Sequence, residues 1–241
     1  MNECVPHNVL LLGKIGHGKS TVGNRLLNSE GWFRINNQGC SQTCSGSALL
    51  NSSSQLKNYN ISVFDHDGLF EGAYTIDKLC HDVPQVLNLV MFMLKRGCSF
   101  DTKGTKLLKT VATKWKISEI SALVLTHCER LSEEERGEMI EQFKKDHPSV
   151  AELMGKGILA VGFPNGSHVQ PGSELSERVE GDKKKLRQLI YSCDEEVSIP
   201  QTHGKQHYPV VKTFSYPRSG EMQDLSHLLS KYRISERRPS L

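Results

Sequence analysis

The sequence predicts an α/β fold in which a mostly parallel central sheet carries helices on both faces. Short apolar runs alternate with stretches of helical periodicity along most of the chain, a pattern typical of parallel sheets. The first apolar run is followed directly by a glycine-rich segment and then by a helical pattern. Strand, glycine-rich turn and helix in that order are typical of a phosphate-binding loop.

The elements can be placed in chain order from their apolar periodicity. Strands are predicted at Val9–Leu12, Ser47–Leu50, Ile61–Phe64, Asn88–Leu94, Ala122–Thr126 and Ile158–Val161. Helices are predicted at Ser20–Leu27, Lys103–Trp115, Ser132–Lys145, Leu175–Tyr191 and, as a last short element, Met222–Tyr232. Ser132 is expected to cap its helix, with the acidic residues that follow it in the first turn.

Composition narrows the class of protein. The chain has 241 residues, a length that favours one large domain. Its net charge of +3 is too small to indicate a nucleic-acid partner. Its seven cysteines are irregularly spaced and odd in number. This pattern argues against a disulfide framework and favours a protein of a reducing compartment. The sequence shows no secretory signal pattern, and no apolar run approaches the roughly 20 residues of a membrane span. A cytoplasmic protein without a transmembrane segment is therefore predicted.

The loop after the first strand has the full G-x-x-x-x-G-K-[ST] spacing. Its glycines allow the backbone to curl so that N–H groups converge on phosphate oxygens, and the following helix directs its positive dipole end at them. Lys19 adds a charge for the β- and γ-phosphates, and Ser20 offers a hydroxyl to Mg²⁺. The predicted nucleotide contacts here are Gly13, Lys14, Ile15, Gly16, His17, Gly18, Lys19, Ser20 and Thr21.

A second motif, D-x-x-G, follows the strand Ile61–Phe64. Asp65 is placed to hold Mg²⁺, and the N–H of Gly68 can meet a γ-phosphate as a switch. Thr43, in the polar loop between the two motifs, can supply a hydroxyl and a carbonyl to Mg²⁺ and the γ-phosphate. On spacing alone this role of Thr43 stays open.

The strand Ala122–Thr126 leads into a third motif, Thr126-His127-Cys128-Glu129. A carboxylate at Glu129 can accept hydrogen bonds from the N1–H and 2-amino groups of guanine, which adenine does not offer. His127 can lie against the base as a flat wall. After the last strand, Asn165 is the best polar residue for contacting the guanine O6.

These motifs together resemble the immunity-associated nucleotide-binding GTPases (IMAP, or AIG-type G domain), relatives of septins and chloroplast import-receptor GTPases. The shared features are the phosphate loop, the Ser41-x-Thr43 region, the Leu125–Glu129 segment, and a hydrophobic strand with a glycine box at Asn88–Gly97. The resemblance spans roughly Val9 to Cys193 and implies a P-loop NTPase G domain over residues 1–193. A C-terminal extension with a basic tail, residues 194–241, would follow it.

The resemblance implies GTP and GDP binding with Mg²⁺, with Thr43 a ligand of the metal and part of the hydrolytic site. It also implies self-association of the GTP-bound form through the nucleotide face. Departures concern hydrolysis: Cys98 stands where the family often has arginine, and Leu69 stands where many GTPases have the glutamine that orients water. Slow hydrolysis is expected, because no residue is an obvious replacement for this glutamine; Lys19 is expected to assist, and Arg96 and His66 are candidates for the missing role.

Two other functions compete with a slow GTP-hydrolysing switch. A non-hydrolysing scaffold would bind nucleotide as part of an interaction module, consistent with the missing glutamine. An ATP-using enzyme would be favoured only if Glu129 does not contact the base.

Overall fold

The computed structural model describes residues 4–28, 33, 44–51, 58–66, 76–164 and 169–200. The strands in this part of the chain are β1 (Cys4–Leu12), β2 (Cys44–Asn51), β3 (Asn58–His66), β4 (Val86–Leu87), β5 (Leu89–Lys95), β6 (Ser121–Thr126), β7 (Ile158–Ala160) and β8 (Val197–Ser198). The helices are α1 (Lys19–Leu26), α2 (Ile76–Asp82), α3 (Thr102–Trp115), α4 (Glu133–Asp146), α5 (Pro148–Ala151) and α6 (Glu174–Tyr191).

Six strands form the central sheet in the order β2-β3-β1-β5-β6-β7. Every neighbouring pair runs parallel except β2 and β3, which are antiparallel. The predicted fold class, a mostly parallel sheet with flanking helices, is therefore confirmed.

Alternation of side chains along the strands divides the core into two layers. Leu10 and Leu12 of β1 pack on one face in the layer that includes α2, α3 and α4. Val9 and Leu11 pack on the opposite face in the layer that includes α1 and α6. Both faces of the sheet are thus covered by apolar side chains. Polar side chains of the central strands therefore lie mainly at the strand ends.

Side-chain caps fix where the longer helices begin. Ser132 accepts a hydrogen bond from the Glu135 N–H, and the Glu135 carboxylate accepts one from the Ser132 N–H, so the predicted cap is a full capping box. Asp101 and Ser173 cap α3 and α6 in the simpler, one-sided way.

The structure differs from the sequence prediction mainly in short elements. Strand β1 begins at Cys4 rather than Val9, and α2, α5, β4 and β8 were not predicted. The four unpredicted elements have two to seven residues, too few for a periodic pattern, and they owe their form to tertiary contacts. The helix predicted at 222–232 lies outside the described residues.

A two-stranded sheet continues the fold beyond α6. Strand β8 pairs antiparallel with β4, and the Ile199 N–H donates to the Gln85 carbonyl at 2.6 Å. The proposed boundary between residues 193 and 194 stays a prediction. None of the helices in the described part of the chain has the length and apolar character that crossing a bilayer requires.

Trp115→Ala tests the α3 side of the core. Trp115 is only 1% exposed, so its truncation should lower the free energy of unfolding by about 3–5 kcal/mol. Urea denaturation followed by far-ultraviolet circular dichroism measures the change. The exposed Thr113→Ala on the same helix is the control and should stay within about 0.5 kcal/mol of the wild type; equal losses in both variants would contradict this packing.

Candidate functional site

The phosphate loop joins β1 to α1 at the carboxyl edge of the sheet. Gly13 packs so closely on β5 that a Cβ there would lie 2.7 Å from the Met93 carbonyl oxygen. Gly16 and Gly18 have φ angles of 77° and 81°, which favour glycine, and Gly18 is the N-cap of α1. The loop therefore has the backbone form that the motif predicts.

Lys19 is held at the centre of this loop. Its side chain is buried, and its ammonium donates to the carbonyl oxygens of Gly13 at 3.0 Å and Lys14 at 3.1 Å. Lys14 and Ile15 lie on the outer side of the loop. A cation fixed beside backbone N–H groups and a helix N-terminus is suited to an anionic group.

Ser20 and Asp65 meet beside the loop. The Ser20 hydroxyl donates to Asp65 Oδ2 at 2.5 Å, which joins the first turn of α1 to the end of β3. A hydroxyl and a carboxylate are the hard oxygen donors that Mg²⁺ prefers. The pair fits the predicted metal site, whose third proposed ligand, Thr43, lies outside the described residues.

His66 follows Asp65 but takes the opposite face of β3, as strand alternation requires. It is fully buried, and its Nε2 lies 3.8 Å from Asp82 Oδ2 on α2. The structure therefore does not bring the His66 imidazole to Ser20 and the phosphate loop.

The third motif lies directly against the phosphate loop. The Thr126 hydroxyl donates to the His17 carbonyl at 3.0 Å, and a Cβ at Gly18 would lie 3.3 Å from the Thr126 Cβ. His127 adopts a φ of 61°, and its Nδ1 lies 3.0 Å from the Thr126 hydroxyl. The two predicted contact regions thus form one continuous surface.

Glu129 has an unusual environment for a carboxylate. Its Oε2 is buried and has no hydrogen-bond partner among the described residues. Leaving a carboxylate oxygen buried and unsatisfied is costly. Because the Glu129 side chain as a whole is only partly buried, a hydrogen-bond donor of a ligand can approach this carboxylate.

The segment after β7 packs on the backbone of this motif. A Cβ at Gly162 would lie 2.1 Å from the Glu129 nitrogen, and the Cys128 N–H donates to the Val161 carbonyl at 3.2 Å. Phe163 follows, with the Arg25 guanidinium 5.9 Å from its ring centroid. A cleft between the two segments is lined by Gly18, Thr21, Val22, Thr126, His127, Val161 and Phe163.

Burial keeps two side chains of these loops uncharged near neutral pH. It lowers the pKa of His17, whose Nδ1 lies 3.1 Å from the Met93 carbonyl oxygen. It raises the pKa of Cys128 to about 11. The Cys128 thiol lies within 3.6 Å of the Leu125 carbonyl and 3.5 Å of the Thr126 carbonyl, so it acts as a weak structural donor rather than a nucleophile.

Arg96 lies in the turn after β5, next to the third motif. Its N–H donates to the Thr126 carbonyl at 3.0 Å, while its side chain is exposed. Gly97 completes the turn with a φ of 76°, and Cys98 is exposed as well. The structure thus places Arg96 at the surface beside the cleft.

Gly68 and Asn165, like Thr43, lie outside the described residues, and their roles stay predictions. Sequence reasoning did not find Arg136 or Asp182 behind the third motif. Arg136 donates to the Cys128 carbonyl, and Asp182 accepts from Arg136 and from the Gly162 N–H. Arg136 follows three glutamates and Asp182 precedes three lysines. With such charged neighbours, the sequence indicates that both residues lie on exposed helix faces.

The AIG1 family model matches residues 7–160, the region that contains the phosphate loop, Asp65 and Glu129. The chain belongs to the AIG1 family. No curated protein matches the chain in sequence.

Solved structures resemble this AIG1 family member in fold. Toc33 from Arabidopsis thaliana has a TM-score of 0.52 and 18% identity, with 83% of this chain and 89% of Toc33 covered. Era from Aquifex aeolicus has a TM-score of 0.51 and 12% identity, with 81% and 62% covered. LeoA, a bacterial dynamin GTPase from ETEC, has a TM-score of 0.54 and 13% identity, with 78% and 36% covered.

Gly162→Ala tests the packing behind Glu129. The new methyl group would meet backbone atoms, which cannot move aside, and should destabilise the fold by about 1–3 kcal/mol. Gly137→Ala is the matched control, since a Cβ there meets nothing within 4 Å. In that helix position alanine should stabilise by about 0.5–1 kcal/mol. Urea denaturation of both variants gives the comparison, and an unchanged Gly162→Ala would refute the close approach.

Proposed function

We propose that this chain is a Mg²⁺-dependent molecular switch that binds GTP and GDP. The observation that carries the proposal is the buried, unpartnered carboxylate oxygen of Glu129. It lies in the motif that contacts the phosphate loop through the hydrogen bond from Thr126 to His17. A site with an anion-binding loop beside a buried acceptor suits a phosphorylated ligand whose base donates hydrogen bonds, as guanine does.

The proposed roles follow from position. The loop from Gly13 to Thr21 would bind the phosphates, with Lys19 next to the β- and γ-phosphates. Ser20 and Asp65, already within hydrogen-bond distance, would hold Mg²⁺ together with Thr43. The metal would offset the negative charge of the phosphates. Gly68 would contact the γ-phosphate.

On the base side, Glu129 would accept from the base, with Thr126, His127 and Asn165 completing the contacts. The cleft between Gly18 and Phe163 lies beside these proposed contacts. The proposed G domain spans residues 1–193, with residues 194–241 as an extension. A cytoplasmic location is proposed from cysteine usage alone.

Proteins of similar fold support the choice of ligand. Toc33 has been crystallised in complex with GDP and Mg²⁺, and Era with GDP·AlF₄⁻ and with MgGDPNP. Their low identity means that the argument for this chain still rests on its own residues, above all Glu129.

Hydrolysis of GTP to GDP and phosphate is proposed to be slow. Leu69 occupies the position after the D-x-x-G glycine, and an apolar side chain cannot orient water. His66 is buried on the far face of β3, which leaves Lys19, Thr43 and Arg96 as the proposed catalytic group.

The proposal includes self-association through the nucleotide face. Dimerization is described as important for the GTPase activity of Toc33. In this chain Arg96 is exposed beside the cleft. Its side chain is therefore free to contact a second copy of the chain that docks on this face. Arg96 of one copy would then stabilise charge on the nucleotide of the other.

A non-hydrolysing scaffold is the second candidate function. The burial of His66 away from the phosphate loop favours it, because it removes one of the few groups that could replace the missing glutamine. The scaffold would bind the same nucleotide at the same site without hydrolysing it, and its nucleotide-bound conformation would bind partner proteins.

Glu129→Ala is expected to weaken GDP binding by roughly 10²-fold, through loss of charged hydrogen bonds, with less effect on ATP. Isothermal titration of GTP, GDP and ATP against wild type and variant measures this. Glu134→Ala, an exposed residue of α4, is the control. If ATP bound wild type as tightly as GTP, guanine recognition would be wrong and an ATP-using enzyme favoured.

Lys19→Ala separates the switch from the scaffold. A slow, Mg²⁺-dependent release of phosphate under single-turnover conditions should be present in the wild type and absent in the variant, since the ammonium supports the transferring phosphate. No release from the wild type, with GTP bound, would favour the scaffold.

Arg96→Ala tests assembly. In light scattering, the wild type with a non-hydrolysable GTP analogue should be a dimer or larger species. In a separate hydrolysis assay with GTP, Arg96→Ala should release phosphate more slowly than the wild type, by roughly 10-fold or more. Exposed Lys103→Ala on α3 serves as the control. A strictly monomeric wild type with bound analogue would exclude this part of the proposal.

A further inference from the structure

Behind the third motif lies a buried ion pair that joins helices from opposite faces of the sheet. Arg136 on α4 is 2% exposed and Asp182 on α6 is 1% exposed. The Arg136 Nη1 lies 2.7 Å from Asp182 Oδ1. Burying two charges has a large desolvation cost, which only good geometry and further hydrogen bonds offset.

The further hydrogen bonds of Arg136 go to the third motif. Its Nε and Nη2 both donate to the Cys128 carbonyl oxygen, at 3.2 and 2.8 Å. That carbonyl belongs to the peptide group that links Cys128 to Glu129. Two donors on one oxygen fix the plane of this peptide, and with it the direction in which the Glu129 side chain leaves the backbone.

The second oxygen of Asp182 binds the neighbouring segment. Its Oδ2 accepts the Gly162 N–H at 2.8 Å. Gly162 in turn packs on the Glu129 backbone, where a Cβ would lie 2.3 Å from the Glu129 Cα. The same ion pair therefore holds Glu129 from two sides, through the Cys128 carbonyl and through Gly162.

Charges at the surface border the pair but do not replace it. Glu133 Oε1 lies 3.1 Å from Arg136 Nη1, and Lys185 Nζ lies 3.5 Å from Asp182 Oδ1. The Glu133 side chain is 70% exposed, so solvent screens its contribution. The buried pair alone reaches the backbone of both loops.

We propose that Arg136 and Asp182 are positioning residues for base recognition, setting the Glu129 carboxylate for the N1–H and 2-amino groups of guanine. This inference rests on the proposed function, because it requires that Glu129 contacts guanine. Neither residue touches the ligand. Their effect is confined to the geometry of Glu129, so it should alter base selectivity and leave phosphate binding intact.

The test compares binding of GDP with binding of IDP, which lacks the 2-amino group. Wild type should prefer GDP by about tenfold or more, and Glu129→Ala should lose that preference. Arg136→Met should reduce the GDP:IDP ratio several-fold, to within about threefold of the Glu129→Ala ratio. A ratio of affinities is unaffected by the fraction of folded protein, so a merely structural role would leave it unchanged.

Two further variants complete the design. Asp182→Asn is isosteric and should also lower the ratio, and it decides the matter if Arg136→Met does not fold. Glu133→Gln removes only the exposed charge and should retain the wild-type ratio. An unchanged ratio in folded Arg136→Met, or in Asp182→Asn when Arg136→Met does not fold, would overturn the proposal, as would equal weakening of GDP and IDP.

The double variant Glu129→Ala/Arg136→Met shows whether Arg136 acts through Glu129. If it does, Arg136→Met should not change the GDP:IDP ratio further once Glu129 is absent. An additional loss in the double variant would mean that Arg136 acts by another route. A wild type without GDP preference, unaffected by Glu129→Ala, would instead refute the proposed function itself.

Discussion

The central position of β1 governs the rest of the structure. It lies between β3 and β5, and residues Val9–Leu12 have no exposed surface. With both faces of the sheet covered by apolar side chains, polar groups can gather only where strands end. In a parallel sheet those ends share one edge. The phosphate loop, Asp65, the third motif and Gly162 all lie there because each follows, or ends, a strand.

Among the contacts at this edge, one hydrogen bond joins the phosphate loop directly to the third motif. The Thr126 hydroxyl bonds to the His17 carbonyl, while Gly18 packs against the same threonine. The phosphate loop and the third motif cannot move apart without breaking this contact. Their separation is therefore set by the fold before any ligand arrives, which reduces the ordering that binding requires.

What could be predicted from the sequence depends on how local the signal was. The phosphate loop is contiguous, and the Ser132 cap needs only Glu135 three residues later, so both were predicted and the cap is confirmed. Arg136 and Asp182 are 46 residues apart and lie among charged neighbours on helices. Their burial arises from the meeting of two helices at the sheet edge, which no local pattern records. The short helix α2 was not predicted for a related reason: a segment of seven residues shows little periodicity.

The β4–β8 pair has a consequence for how anything can be attached to this fold. Strand β4 directly precedes β5, so β8 lies at the amino-terminal edge of the sheet, opposite the phosphate loop. Ser198 of β8 is exposed at that far edge. A fluorescent label placed there would therefore sit opposite the cleft and leave the phosphate loop and the third motif unobstructed.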